Sequence, residues 1–217
     1  MYFSSAAFLD PTTNGNLSSS SSSTVITPEP DMKYDGGGPD GGILQEKEVL
    51  IPSCIESGFS GVAEQNVTGM LFKRTLQLPD EWADDVSSGR RRVLVHFEAV
   101  DYEATVFVNE HKLIHNIGGY FRFSVDVTNS LNKGEGETNE LQVVVRDPTD
   151  QPNYYTPHGK QTRTPSHIFY TPCTGIWQSV WWESVPADGY VSELEVAGDM
   201  DGKGKWTNLA YLGWFGG

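Results

Sequence analysis

Short runs of alternating apolar and polar residues, separated by turn signals, constrain the fold of this chain more than any other feature. In YFRFSVDV, every second residue from Phe121 to Val127 is apolar, as a strand with one buried face requires. ELQVVVRD and RRVLVHFEAV alternate in the same way. The one helical hint is LPDEWADD, where Asp80 could cap a single turn. The pattern predicts an all-β fold of two packed antiparallel sheets, a sandwich or jelly roll.

Composition divides the chain into three parts. Residues 1–42 hold a pure serine run and the sequence GGGPDGG, so they are predicted to be disordered because they bury too little apolar surface. Residues 43–186 hold the strand-like runs and are predicted to form one jelly-roll domain. Residues 187–217 hold one further strand-like run, YVSELEV, and an apolar end, WTNLAYLGWFGG, without a partner in sequence. They are predicted to be the start of a second, truncated domain.

The formal net charge of -14 argues against nucleic acid and anionic membranes as partners, because both would repel the chain. There is also no run of about 20 apolar residues that could span a membrane. A neutral ligand such as a sugar is compatible with this charge. The aromatic content of 12% suits a packed β-core and would also suit platforms for sugar rings.

The chain contains 2 cysteines, Cys54 and Cys173, which is too few for a disulfide framework. One bridge between them is possible, and the sequence does not decide; two buried free thiols are the interpretation we favour. Asn16 (NLS) and Asn66 (NVT) fit the glycosylation pattern, which matters only in a secreted chain. The start, MYFSSAAFLDPTT, lacks a basic region and a sustained apolar stretch, so no secretory signal is predicted.

Five motifs follow one another in order: IPSCIESGFSG, AVDYEATVFVNEHKL, GGYFRFSVDVTNSL, NELQVVVRDPTD and TPCTGIWQSVWWESVP. Together they resemble the N-terminal sugar-binding domain of glycoside hydrolase family 2, which includes β-galactosidases, β-glucuronidases and β-mannosidases. The resemblance covers roughly Glu48 to Pro186 and implies a galactose-binding-like jelly roll. It also implies what normally follows: an immunoglobulin-like sandwich, whose first strand YVSELEVAGDMDG resembles, and then a (β/α)₈ barrel.

The resemblance places the family's catalytic glutamates on strands of that barrel. A barrel needs about 250 residues, so it has no counterpart among the residues after Pro186, and no catalytic residue is predicted in this chain. Relatives are often secreted, so the resemblance is compatible with an extracellular location. No cofactor is implied, and GGGPDGG lacks the Lys-Ser/Thr of a phosphate-binding loop.

The chain departs from the family pattern in two places. The family usually opens the jelly roll with a Trp-rich strand, and here the serine and glycine tract stands in its place, so the sheet is expected to lack an edge strand. The family usually has Asn-Gly at the hairpin turn, where this chain has Asn109 and Glu110. A longer turn through His111 is predicted.

Two pairs of residues suggest chemistry that the context argues against. Asp101 and Glu103 are two apart on a strand-like run and could project together like the carboxyls of a retaining glycosidase. Because the resemblance places catalysis in the barrel, we interpret them as acids at a strand bend that bind backbone donors or basic side chains. His111 and His115 have a helical metal-ligand spacing, but on a strand they would lie about 13 Å apart, so no metal site is predicted.

The predicted substrate-binding residues are Glu56, Asp150 and His167. The resemblance implies that the loop holding Glu56 reaches the edge of the sugar pocket, where a carboxylate can accept hydroxyl groups; the alternative is a plain surface acid. The segment from Asp147 to Thr174 is a long loop, and long ordered loops are usually functional. His167 best matches the polar residue that contacts sugar in the family; the alternative is a residue that only shapes the loop.

These expectations lead to one prediction of function and two alternatives. The chain is predicted to be the sugar-binding domain of a family 2-type glycoside hydrolase, inactive by itself. Its partners would be a carbohydrate (a β-glycoside) or a catalytic barrel domain. The alternatives are an independent carbohydrate-binding module with an aromatic platform, and a degenerate gene product without activity.

Overall fold

The computed structural model of this chain describes residues 23–26, 48–134 and 136–216. Its strands are β1 (Ser23–Ile26), β2 (Glu48–Val49), β3 (Gly69–Gln77), β4 (Arg91–Phe97), β5 (Glu103–Val108), β6 (His111–Ile117), β7 (Phe123–Asp126), β8 (Thr138–Arg146), β9 (Val180–Pro186), β10 (Tyr190–Met200) and β11 (Trp206–Gly216). One α-helix, α1 (Asp80–Ser87), and two 3₁₀ turns, Gly58–Ser60 and Thr128–Ser130, interrupt them. Within the described residues, no helix is long and apolar enough to cross a membrane.

Two antiparallel sheets pack on a shared apolar core, which confirms the predicted all-β sandwich. One sheet has 6 strands in the order β2-β1-β3-β8-β5-β6, and the other has 3 strands in the order β7-β4-β9. The alternating residues Val93, Val95 and Phe97 of β4 are fully buried, as predicted. Phe121 leaves its predicted row, because β7 begins only at Phe123 and Phe121 is 75% exposed.

The described part of the predicted disordered segment is Ser23–Ile26, which forms β1 between β2 and β3. The expected loss of the strand at this side of the sheet is therefore wrong, since β1 supplies a backbone partner for β3. The rest of residues 1–42 lies outside the described residues.

The hairpin between β5 and β6 turns in two residues, so the predicted longer turn through His111 is wrong. Val108 pairs with His111, and the turn residues Asn109 and Glu110 have φ of 48° and 66°. Two successive positive φ angles are the signature of a type I′ turn. The Asn109 amide helps to hold it, donating to the carbonyl of Ser130 at 2.7 Å.

The helical hint extends further than predicted, and its cap differs. The helix α1 contains 8 residues, and Asp80 is its first residue rather than its cap, because Pro79 takes the capping position. Trp82 of this helix packs edge-to-face on Trp182 of β9, with ring centroids 5.2 Å apart. The contact packs α1 against the sheet of 3 strands, β7-β4-β9.

The C-terminal segment forms a sheet of its own. Strands β10 and β11 form a two-stranded antiparallel hairpin, so the apolar end does have a partner, contrary to the sequence-based expectation. Both strands carry exposed large apolar side chains, such as Leu194 at 61% and Phe215 at 80%. The Arg92 guanidinium lies 6.0 Å from the centroid of the Tyr190 ring at the start of this hairpin.

Candidate functional site

A disulfide joins the two loops that the sequence singled out. Cys54 lies in the loop before β3, and Cys173 lies near the end of the long loop before β9; their sulfurs are 2.00 Å apart. The favoured interpretation as two buried free thiols is therefore wrong. The partners are 119 residues apart in sequence, and only the folding of the sandwich brings their loops together.

Thr174, the residue after the disulfide, is held by two buried carboxylates. Its backbone N–H donates to Oε2 of Glu56 at 3.0 Å, and its hydroxyl donates to Oδ2 of Asp147 at 2.6 Å. The backbone adds a third contact, since the N–H of Ile55 donates to the Thr174 carbonyl at 3.0 Å. Thr174 therefore fastens the end of the long loop to both the Glu56 loop and the end of β8.

A third buried acid, Asp101, is hydrogen-bonded to Gly175, the residue that follows Thr174. Asp101 and Gly175 exchange backbone hydrogen bonds in both directions, each at 2.9 Å. The Gln161 side chain hydrogen-bonds to the Asp101 carboxylate, while its carbonyl oxygen accepts the N–H of Cys173 at 2.5 Å. Asp101 is 7% exposed and Gln161 4%, so this polar network lies inside the protein.

Burial and electrostatic repulsion raise the pKa of two members of the acid cluster, defined here as Glu56, Asp101 and Asp147. Burial, the largest cause, and the charges of Asp147 and Glu56 together raise the pKa of Asp101 to about 7, against the hydrogen bond from Gln161. Burial also raises the pKa of Glu56, against the hydrogen bonds from Thr174. Asp101 therefore keeps its proton up to about pH 7, because ionising it would place a further negative charge in a buried site.

The three predicted sugar-binding residues occupy different environments. Glu56 is 9% exposed, and its carboxylate is engaged with Thr174. Asp150 is exposed, and its Oδ2 accepts the Thr162 hydroxyl at 2.6 Å and the backbone N–H of Arg163 at 2.7 Å. These contacts, the Thr162 hydroxyl first, lower the pKa of Asp150 despite partial burial. Asp150 thus shapes the middle of the long loop.

His167 is exposed, as Asp150 is. It lies in an exposed stretch of the long loop, with its ring nitrogen Nδ1 3.4 Å from the Ser166 hydroxyl. Its φ is 55°, and that of Asp150 is 58°. Left-handed backbone at non-glycine residues is uncommon, although Asp and His tolerate it better than most.

Large apolar side chains remain exposed along the same loop. They include Tyr155, 97% exposed, Ile168, 66%, and Phe169, 49%. Backbone hydrogen bonds nevertheless join two parts of the loop. The N–H of Thr162 donates to the Tyr170 carbonyl at 2.9 Å, and the N–H of Tyr170 donates to the Lys160 carbonyl at 3.1 Å.

A sequence profile described as "glycosyl hydrolase 2 galactose-binding domain-like" matches residues 55–177, more than half of the chain. This chain belongs to that family. It is a family 2 sugar-binding domain, as the five sequence motifs predicted. The matched segment begins one residue after Cys54 and includes Cys173, Thr174 and the whole long loop.

Sequence relatives of this family 2 domain are similar to it over a small part of their own length. The β-glucuronidase of Rattus norvegicus is 24% identical over 177 residues, which is 73% of this chain and 26% of that protein. The β-glucuronidase of Mus musculus is 22% identical over 139 residues, 62% of this chain and 20% of that protein. The chain thus spans about a quarter of the rat protein's length and a fifth of the mouse protein's.

Solved structures share the fold of this family 2 domain. The β-glucuronidase of Bifidobacterium dentium, complexed with coumarin-3-O-glucuronide, aligns with a TM-score of 0.61 and 18% identity over 90% of this chain and 35% of its own. The family 2 β-galacturonidase of Eisenbergiella tayi, bound to galacturonate, aligns with a TM-score of 0.52 and 17% identity over 87% of this chain and 27% of its own.

Asp101 and Glu103 do not form a shared carboxylate site in this family 2 domain. Asp101 faces the buried network, whereas Glu103 begins β5 and lies 3.6 Å from Arg146.

Two tryptophans that follow the long loop also have structural partners. The indole N–H of Trp177 donates to the Gly119 carbonyl at 2.8 Å, and that of Trp181, on β9, donates to Glu98 at 3.1 Å. Among the described residues, no group of His, Cys, Asp or Glu could hold a metal ion.

The sequence did not reveal the roles of Asp147, Gln161 and Thr174. Asp147 appears in the sequence only as the start of the long loop, yet it is 3% exposed and accepts a hydrogen bond from the Thr174 hydroxyl. One sequence signal could have indicated these roles: the polar residues Asp147 and Thr174 lie at the two ends of the long loop, and such residues can hold the base of a loop together. Alternation carried no such information, because these residues lie at or beyond strand ends.

Proposed function

We propose that this domain forms one wall of the sugar pocket of a uronidase-type family 2 enzyme, and that by itself it does not hydrolyse glycosides. The names of the relatives support the uronide substrate class. The resemblance supports a catalytic barrel as the partner that supplies the remaining walls and the glutamates.

One observation carries the proposal: the long loop is fastened at its base and exposed at its outer part. The disulfide, Thr174 and Gln161 tie the base to the sandwich, while His167 and its apolar neighbours face solvent. Binding groups need a rigid support, because ordering a mobile loop on binding costs affinity. A loop built in this way can present polar and apolar groups to a ligand or to an adjacent domain.

The geometry ranks the three predicted sugar-binding residues. His167 is the first choice, because its ring is exposed and an imidazole can donate and accept hydrogen bonds with sugar hydroxyls. Asp150 is the second choice, because it is exposed but already accepts two hydrogen bonds from its own loop. Glu56 is the third, and we propose that it acts mainly by holding the loop in place through Thr174.

The proposed domain arrangement follows the same logic. Residues 43–186 would form the sugar-binding domain, and residues 187–217 would begin the immunoglobulin-like domain that normally follows. The exposed apolar side chains of the β10–β11 hairpin support this, since a two-stranded hairpin alone buries little apolar surface.

A second candidate is an independent carbohydrate-binding module, favoured by the 97% exposure of Tyr155. An exposed aromatic ring can stack on the apolar face of a sugar without help from another domain. Titration calorimetry with oligosaccharides separates the candidates. Submillimolar binding that is lost in Tyr155→Ala supports the module, and millimolar or weaker binding supports the pocket wall.

The absence of hydrolysis is tested with chromogenic β-glucuronide, β-galactoside and β-mannoside. The purified chain is expected to turn over none of them above the uncatalysed rate. Turnover that disappears in Asp101→Asn or Glu103→Gln would overturn the proposal, because it would place catalysis in this domain. Cooperative thermal unfolding of the same sample excludes a chain that simply failed to fold.

A further inference from the structure

An asparagine next to the long loop lies in a sequence that can be chemically modified. Asn66, Val67 and Thr68 form the pattern Asn-x-Thr, with x other than proline, in the segment that leads into β3. We infer that Asn66 carries an N-linked oligosaccharide. The pattern alone is common by chance, so the inference rests on two further observations.

The first observation concerns the compartment in which the chain folds. Cys54 and Cys173 are joined in a disulfide, and structural disulfides form and persist in oxidising environments such as the secretory pathway. Asparagine-linked glycosylation belongs to secreted proteins. The disulfide therefore supplies the condition under which the Asn66 pattern becomes meaningful.

The second observation concerns access to the Asn66 side chain. Asn66 is exposed, as is Gln65 before it, whereas Val67 and Thr68 are half-buried on the way to the buried start of β3. Asn66 has a φ of 63°, a left-handed conformation that asparagine tolerates better than most residues. An exposed asparagine at a backbone bend has room for a bulky hydrophilic adduct.

The chemistry requires a glycosyl donor, which would be an oligosaccharide linked to a lipid diphosphate. A bond forms between Nδ2 of Asn66 and C1 of the first sugar, while the bond between that C1 and the diphosphate oxygen breaks. The amide nitrogen loses one proton to a base on the transferase, and the lipid diphosphate leaves with the bonding electron pair.

The attached glycan would emerge beside the proposed sugar-facing loop. The backbone carbonyl of Asn66 accepts a hydrogen bond from the Arg163 guanidinium, and the backbone N–H of Arg163 donates to Asp150. Asn66 is therefore linked through Arg163 to the middle of the long loop. This position rests on the structure alone and does not depend on whether the loop binds sugar.

The test is secretion of the full chain, behind a secretion signal, from cultured eukaryotic cells, followed by intact mass measurement before and after enzymatic removal of N-glycans. Asn66→Asp keeps the shape and the left-handed tolerance but lacks the amide nitrogen, so it is expected to lose one glycan mass. Thr68→Ala is expected to lose the same mass, and Thr68→Ser to retain it. Asn16→Gln, at the other Asn-x-Ser/Thr sequence, controls for a glycan elsewhere.

The result that overturns the inference is an unmodified Asn66 in secreted wild-type protein whose disulfide has formed. A total glycan mass in both Asn66→Asp and Thr68→Ala that equals that of the wild type would overturn it equally. Mass measurement under non-reducing conditions, with thiol titration, verifies the disulfide in each sample. Loss of the glycan mass in the two loss variants, with retention in the other two, supports the inference whatever the outcome of the glycosidase assays.

Discussion

Replacing Asp101 with asparagine should make the domain more stable at pH 8 and leave its stability nearly unchanged at pH 4. In the wild type, burial with Asp147 and Glu56 raises the pKa of Asp101 to about 7, from 3.8 for an unperturbed group. Asparagine has nearly the same shape and keeps an oxygen that can accept the Gln161 hydrogen bond. It cannot ionise, so it removes the cost of a buried charge.

The direction in which the free energy of unfolding changes with pH follows from proton binding. Between pH 3.8 and about 7, folded Asp101 is protonated while the unfolded carboxyl is ionised, so the folded chain binds more protons. The free energy of unfolding therefore falls as the pH rises through this window, and it stays low above it. Each unit of pKa difference is worth about 1.4 kcal/mol, so the full effect of Asp101 is up to about 4 kcal/mol. The raised pKa of Glu56 acts in the same direction.

Urea unfolding followed by tryptophan fluorescence, at several pH values from 5 to 8 with the disulfide intact, measures the effect. The wild type should lose stability across this range more steeply than Asp101→Asn. Asp150→Asn is the matched control, because Asp150 is exposed and its pKa is lowered, so it stays ionised from pH 5 to 8 in both states. Its difference from the wild type should be the same at each pH.

Parallel pH profiles for the wild type and Asp101→Asn would refute this reasoning. They would mean that Asp101 titrates in the folded protein as it does in the unfolded chain, which is incompatible with a buried acid cluster. A variant less stable than the wild type at pH 8 would lead to the same conclusion.

Three further perturbations test other parts of the structure. Serine at both cysteines should lower the free energy of unfolding by about 5 kcal/mol, because the disulfide closes a loop over 119 residues in the unfolded chain. Urea unfolding of this variant should not respond to reductant. A urea midpoint equal to that of the oxidised wild type would contradict the prediction. Gly119→Ala should lower the free energy of unfolding by about 1 to 3 kcal/mol, because its Cβ would lie 2.6 Å from Oδ1 of Asp101. Gly58→Ala is the control: its Cβ meets nothing within 4 Å, so it should lower that free energy by less than about 0.5 kcal/mol. Equal changes in the melting temperatures of the two variants would contradict the packing described around Asp101. Glu110→Gly should stabilise the domain by about 0.5 to 1 kcal/mol in thermal unfolding, because Glu110 has a φ of 66°, which glycine adopts without steric cost. A melting temperature lower than that of the wild type would argue against the two-residue turn.

The sequence predicted those parts of the fold that depend on local alternation. Val93, Val95 and Phe97 are buried because a strand places every second side chain on the same face, and this rule needs no knowledge of the partner strand. The same rule failed at Phe121, because alternation continued past the point where β7 begins. It also could not pair β10 with β11, since pairing depends on the turn between them.

The candidate site was predicted only in outline. The length of the loop and its lack of strand-like runs predict a functional loop that contains Asp150, and the family resemblance adds Glu56 and His167. The fastening of the loop was not predicted, because Cys54 and Cys173, or Glu56 and Thr174, meet only when distant segments fold together. Burial at Asp101 was hidden for the same reason, since an acid in a strand-like run gives no sign of what will cover it.

The most direct test of the central claim is a titration of the isotopically labelled chain with millimolar glucuronate, followed by amide chemical shifts. A fastened, sugar-facing loop predicts shifts that concentrate between residues 150 and 170, weaken in His167→Ala, and leave the β10–β11 hairpin unchanged. Shifts that cluster away from this loop, or no shifts at any glucuronate concentration of the titration, would contradict the claim that the loop forms a wall of a sugar pocket.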